Sequence, residues 1–170
     1  MARALTRRTC QRLDMQGFDT VAEERLAEVV PWQRLTFGLC ALLAGIGTAT
    51  ASPTVLLALA PVAALGAAFP VHPFDLIYNL GVRHLTGTGP LPRRGAPSRF
   101  ACGMGSVWLL VTAWAFLAGH ATLGYVLGAS LTAVAVLVGT TDICIPSMLY
   151  RALFGPPRAR AEAAGSPMRP

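Results

Sequence analysis

Two long stretches without a charged side chain dominate the pattern along the chain. Between Arg34 and His72 the only ionisable group is the Cys40 thiol, and from Phe100 to Thr141 only Cys102, His120 and Tyr125 interrupt an apolar text. Uncharged stretches of this length read as membrane spans. The first covers residues 35–71. As one helix it would rise about 55 Å, against roughly 30 Å of hydrocarbon core. It must therefore fold back. Thr50-Ala51-Ser52-Pro53 supplies the turn, because Pro53 lacks an N–H and suits a first helical turn. The spans are placed at 34–51 and 54–71. The second stretch divides at Gly119-His120, giving spans at 100–118 and 122–143. The expected fold is an all-α integral membrane protein, with four transmembrane helices forming two hairpins. A cytoplasmic connection over 72–99, carrying a re-entrant or surface helix, joins them.

Ahead of the first span the period is also helical. Phe18, Val21, Ala22, Leu26, Val29 and Val30 recur on one face, after a capping-box pattern at Thr20-Val21-Ala22-Glu23. Pro31 is expected to end this run, leaving an amphipathic helix on the membrane surface with Trp32 at the interface. Charges of both signs stand where a secretory signal would need an apolar core. Met15 is an alternative start. Residues 1–33 are thus a basic cytoplasmic arm, 34–154 the membrane domain, and 155–170 a Pro-rich tail expected to be disordered.

Composition sharpens the picture. Hydrophobic residues make up 54% and charged residues 13%, about half the usual charged share of roughly 25%. A soluble domain of this size has more surface than so few charges can cover. Orientation follows from arginine, which supplies all fourteen cations. Every one lies before or at the start of the first span, between the second and third, or after the fourth, and the two short turns have none. The positive-inside rule puts those segments and both termini in the cytoplasm. The net charge of +6 then belongs to span-flanking residues that meet anionic headgroups of the bilayer. No aromatic-interleaved basic patch accompanies it, so nucleic acid is not an expected partner. The lack of lysine and the wealth of Ala, Gly and Arg fit a bacterial inner membrane protein from a GC-rich source.

Two segments are denser in unusual residues than a span needs. One is His72-Pro73-Phe74-Asp75 through Tyr78 to Arg83-His84, where Pro73 starts a new helix with Asp75 in its first turn. Phe74, Ile77, Tyr78 and Val82 are expected along the bilayer surface. The other is Thr141-Asp142-Ile143-Cys144-Ile145-Pro146-Ser147 through Tyr150-Arg151, closing the fourth span.

His72-Pro73-Phe74, Tyr78, Val82-Arg83, a Pro-rich spacer, Arg99-Phe100-Ala101 and Gly103 resemble the bacterial membrane family catalogued as domain of unknown function 4395. The resemblance spans residues 33 to 152 and implies a small polytopic membrane protein with no assigned activity. That family often ends in Cys-x-x-Cys with a tyrosine three residues on. Cys144 and Tyr150 match the first cysteine and the tyrosine, whereas Ser147 stands at the second cysteine.

The chemistry-bearing residues admit two classes of function. Cys40 reads as a small core residue and Cys10 as part of the arm. Cys102 and Cys144 both fall at the cytoplasmic boundary, where antiparallel neighbouring helices can bring them together. A structural disulfide is not expected on that side. One thiolate in Cys144-x-x-Ser147 suffices for a mixed disulfide or persulfide, although a bystander role is the simpler reading. Asp142 is expected in a structural ion pair, with Arg99 or Arg83 as partner, rather than in a proton relay. His72, His84 and His120 are scattered, so no metal or other cofactor is expected. Gly124 and Gly128 form a small-residue face for close helix packing, within the chain or against another copy. His72, Pro73, Asp75, Tyr78 and Tyr150 are taken as structural or interface positions. The leading function is a non-catalytic accessory or scaffold subunit of a larger membrane complex. The alternatives are thiol or sulfur handling at the inner face and, below it, a small-solute carrier.

Overall fold

The computed structural model describes residues 5–19 and 21–155, and every regular element among them is helical. In chain order these are α1 (Arg7–Leu13), α2 (Glu23–Ala49), α3 (Pro53–Ala68), α4 (Pro73–Ile77), α5 (Arg83–Thr86), α6 (Ala96–Leu117), α7 (Ala121–Thr141) and α8 (Ile145–Phe154). Wide helical turns at Asp14–Phe18 and Tyr78–Val82 follow α1 and α4.

Both short turns fall where the sequence puts them. At the first, Ala51 adopts φ 44° and the Ser52 N–H bonds the Gly47 carbonyl at 2.8 Å, so α3 starts at Pro53. At the second, Gly119 adopts φ 79°, a backbone position that favours glycine.

The stretch before the first span differs from expectation. Pro31 does not end a surface helix: α2 runs through it without interruption for 27 residues. A helix-interior proline costs about 3 kcal/mol, and burial here offsets it. Leu26, Val29 and Val30 are 0–4% exposed, and Leu26 and Val30 pack with Leu13 and Phe18 of the arm. The amphipathic face is therefore an extension of the first candidate span, covered by α1 and the turn after it. Thr20 and the tail from 156 onward lie outside the described residues.

Helices α2, α6 and α7 are each long and apolar enough to cross a membrane. At 16 residues α3 rises about 24 Å and qualifies only together with the helices after it, from which it is bent by 85°. The chain thus has three to four candidate spans. They interlock across the two hairpins, α2 lying along α7 and α3 along α6. The core holds Ala44, Leu56, Leu59, Ala60, Ala63, Leu109 and Ala113. Small residues matter because lipid offers no hydrophobic drive between helices, leaving close van der Waals contact to hold them. A methyl group on Gly128 would overlap Thr48 of α2, and one on Gly124 would come within 2.6 Å of Phe116 of α6. Ser106 donates to the Ala60 carbonyl at 2.9 Å, and Trp108 Nε1 to the Leu127 carbonyl at 3.1 Å. Val107, Val111, Trp114, Leu123 and Val126 stay exposed on the outside, a surface matched to acyl chains rather than to water.

Candidate functional site

The polar chemistry of the fold collects at one end, where the 85° bend turns the chain out of the bundle. Pro73 occupies the first turn of α4, and His72 caps it by accepting from the Phe74 N–H on Nδ1 at 3.2 Å. That bond leaves the imidazole proton on Nε2. Asp75 completes the cap by accepting from the His72 N–H at 3.1 Å. Its carboxylate then receives a two-pronged Arg94 guanidinium, with Nε and Nη2 both at 2.8 Å, and the Thr36 hydroxyl at 2.6 Å. Arg94 is delivered by the Gly/Pro-rich connection and pinned there as its N–H bonds the Pro70 carbonyl at 2.7 Å. The same connection is tied to α2 by Glu28, which accepts from the Gly89 N–H at 2.7 Å, and by Arg25, which donates to the Pro90 carbonyl at 2.8 Å.

Both partners of the pair are almost fully buried, their side chains 2–3% exposed. Burial alone would push the Asp75 carboxyl up, but the bonds and charge of Arg94, with Thr36 and the His72 N–H, hold it below the usual carboxylate range. Arg94 also lies 5.3 Å from the centre of the Phe37 ring. The His72 imidazole is pushed down to about 4 by burial first and by the Arg94 charge second, so it is neutral at physiological pH.

Tyr78 points inward rather than along the bilayer surface. It is 1% exposed, stacks on Trp32 at 5.3 Å and bonds Thr88 through its hydroxyl. Ile77 and Leu80 take the exposed positions instead. Tyr150 sits between Phe100 and Phe154, at 5.5 and 4.7 Å.

Asp142 has a different partner from the two expected. Arg34 grips it through Nε at 3.0 Å and Nη2 at 2.5 Å. Pairing of α2 with α7 brings those helix ends together, a juxtaposition 108 residues apart in sequence. Arg99 is engaged elsewhere, capping α3 by donating to the carbonyls of Ala67 and Ala68 at 2.9 and 2.7 Å. Arg83 contacts His84 on the surface. The arm closes over this corner: Arg12 donates to the Thr141 carbonyl at 2.7 Å and Gln16 to the Asp142 carbonyl at 2.8 Å. Arg151 of α8 bonds the Asp14 carbonyl at 3.0 Å and pairs with Asp19 at 3.4 Å.

Cys144 stands at the N-cap of α8. One turn on, the fully buried Ser147 hydroxyl lies 3.0 Å from Cys144 Sγ and 3.2 Å from the Pro97 carbonyl, within hydrogen-bonding reach of both. Burial pushes the Cys144 thiol up; the Ser147 hydroxyl and N–H oppose this without cancelling it. Cys144 lines two open spaces. Towards the arm is a cleft of about 260 Å³ lined by Arg8, Gln11, Arg12 and Asp142. Towards the bundle is an internal cavity of about 120 Å³ that Cys144 shares with Cys40, Cys102, His72 and Arg94.

The sequence reading missed Arg94, Arg34 and Thr36 and took Cys40 for plain core. One signal was present: Thr36, Cys40 and Ala44 follow an i, i+4 repeat on α2, and all three line the cavity. Arg94 carried none, being one cation among several in a Pro-rich spacer. Among the described residues no three His, Cys, Asp or Glu side chains converge as a metal site.

Fold and site define an all-helical protein with the long apolar helices of a membrane protein and a buried, charge-compensated thiol site at one end of the bundle. The chain belongs to the family described as Domain of unknown function (DUF4395), whose match covers residues 30–154. That range takes in every helix from most of α2 to α8 and leaves residues 1–29 outside. No curated protein and no solved structure matches the chain.

Proposed function

We propose that the chain is a four-span protein of a bacterial inner membrane, both termini cytoplasmic, that performs thiol exchange at its inner face with Cys144 as the attacking sulfur. The observation that carries this is the placement of Cys144 Sγ at a helix N-cap, 3.0 Å from the Ser147 hydroxyl. A thiolate formed there receives the Ser147 hydroxyl and the positive end of the α8 dipole. Its electrophile is a disulfide or a sulfane sulfur, since a single thiolate completes the first displacement on either. Burial keeps the resting thiol protonated, so exchange requires water or a partner to enter the cleft beneath the arm. The grouping of the described arginines at the same end as the thiol site supports the cytoplasmic orientation.

An accessory role ranks second. It is favoured by α7, whose span window is only 17% buried within the chain, leaving a face for lipid or for a larger complex. The deciding experiment labels membranes with an impermeant maleimide, maps the adducts by mass spectrometry, and compares native-gel assemblies of wild type and Cys144→Ser. Exchange at the inner face predicts labelling of Cys144 in inverted vesicles only, and partner mixed disulfides that vanish in Cys144→Ser. A Cys144 that stays unlabelled while Cys10 reacts would refute it. Stoichiometric subunits that persist unchanged in Cys144→Ser would establish the accessory role in its place.

A further inference from the structure

We propose that Cys102 is the resolving thiol for Cys144, so that the second sulfur of the exchange comes across space from α6 rather than from position 147. The inference rests on the reading of Cys144 as the attacking sulfur. Both cysteines open onto the same internal cavity. Helices α6 and α8 pack together, and Ser147 reaches the Pro97 carbonyl in the first turn of α6, five residues before Cys102. Cys102, from the second turn of α6, is therefore presented to this cavity by the helix on which α8 packs. Ser147 has no sulfur to give, and its hydroxyl is committed to Cys144 and Pro97.

The two openings that Cys144 lines give the exchange separate routes for the partner and for the second thiol. In displacement at sulfur, the attacking, central and leaving sulfurs lie in line. A partner disulfide R–S–S–R′ meets Cys144 from the cleft. The Cys144 thiolate attacks one sulfur, the S–S bond breaks, and R′–S⁻ leaves with the proton that Cys144 gave up. The mixed disulfide Cys144–S–S–R now points its R group into the cleft. Cys102, deprotonated in turn, attacks Cys144 Sγ from the shared cavity and expels R–S⁻. The products are a Cys102–Cys144 disulfide and two partner thiols, one disulfide being reduced for one formed. A dithiol reductant of the cytoplasm returns the pair to its starting state. Cys40 takes no part, because it comes from α2, whereas α8 packs on α6.

The test uses the full chain in nanodiscs, in a Cys10→Ser/Cys40→Ser background, with a coloured aromatic disulfide as probe. With both thiols present, two coloured thiolates leave per chain, and mass spectrometry finds a Cys102–Cys144 cross-link with no adduct. Cys102→Ser, with Cys102→Ala as a second variant, releases one thiolate and retains a probe adduct on Cys144. Release of one thiolate by the two-thiol protein, with the adduct stable on Cys144, would overturn the assignment of Cys102 alone. Restoring Cys40 to Cys102→Ser and finding the second release restored would overturn it in favour of Cys40. Undiminished release in Cys144→Ser would instead overturn the underlying reading of Cys144. Unchanged thermal unfolding of each variant certifies that the fold survived.

Discussion

Replacing Arg94 by methionine keeps much of the side-chain volume and removes the countercharge from Asp75. The carboxylate then sits 3% exposed with only the Thr36 hydroxyl and the His72 N–H as donors. Breaking a buried pair from one side costs about 3–5 kcal/mol, because the remaining charge is left uncompensated. For a chain of this size each kcal/mol moves the unfolding midpoint by about 2–4 °C, so Arg94→Met is expected to lower it by about 6–20 °C. The assay is thermal unfolding in a mild detergent, followed by intrinsic tryptophan fluorescence. Asp75→Asn removes the charge from the other side, and the double variant buries no charge at all. The two single losses are therefore expected to exceed the loss of the double variant by about 0.5–3 kcal/mol, the coupling typical of one network. Arg94→Lys should fall between wild type and Arg94→Met, since an ammonium supplies charge without the two-pronged fork. Strictly additive single effects, or a loss under about 1 kcal/mol for Arg94→Met, would refute this account of the clamp.

The remaining predictions concern the thiol, the histidine and the helix contact. Ser147→Ala removes a donor to the Cys144 thiolate, so its alkylation midpoint should move further up in pH and its rate at pH 8 fall by about tenfold; an unchanged pH profile would show that the hydroxyl does not act on the sulfur. The folded His72 value of about 4 lies below its ordinary 6.5, so the unfolded chain binds the extra proton first. Its stabilising contribution is complete above pH 6.5 and lost as pH falls towards 4, amounting to about 2 kcal/mol by pH 5. His72→Asn keeps a capping acceptor and should flatten the unfolding midpoint between pH 7.5 and 5 relative to wild type; parallel curves would count against a neutral buried imidazole. Gly128→Leu forces α7 away from Thr48 and should cost about 1–3 kcal/mol, whereas Gly105→Leu, with open space at its Cβ, should cost far less.

Much of the fold was legible because apolar length and proline placement act locally. Pro53 and Gly119-His120 mark the turns the structure adopts, and the uncharged stretches between them became helices. The inner end of the first helix was misread because Pro31 was judged by its local cost alone, without the arm packing on Leu26 and Val30 that offsets it. The site was partly legible. Pro73 and Asp75 announced a helix start, whereas the His72 cap and the further helix that Cys144 opens carried no comparable mark. Their partners were not legible, because Arg94, Arg34 and Cys40 arrive from distant parts of the chain through helix pairing. A cation in a Pro-rich spacer carries no local mark of where it will dock. Arg99 and Arg83 were the nearer guesses for Asp142 by sequence, yet the antiparallel match of α2 with α7 decided for Arg34.

That same pairing sets a clock on biogenesis. The first long helix of the chain completes its contacts with the last, since Arg34 waits for Asp142 across 108 residues. At synthesis rates of about 5–20 residues per second, α2 spends about 5–20 seconds made but unmatched, its groove beside Thr48 empty and its guanidinium uncompensated. The α3–α6 contact closes sooner, and the Asp75–Arg94 clamp sooner still, being 19 residues apart. Assembly therefore proceeds from the middle of the chain outward, and a ribosome stalled before residue 142 leaves the central pair locked while the outer pair has yet to meet.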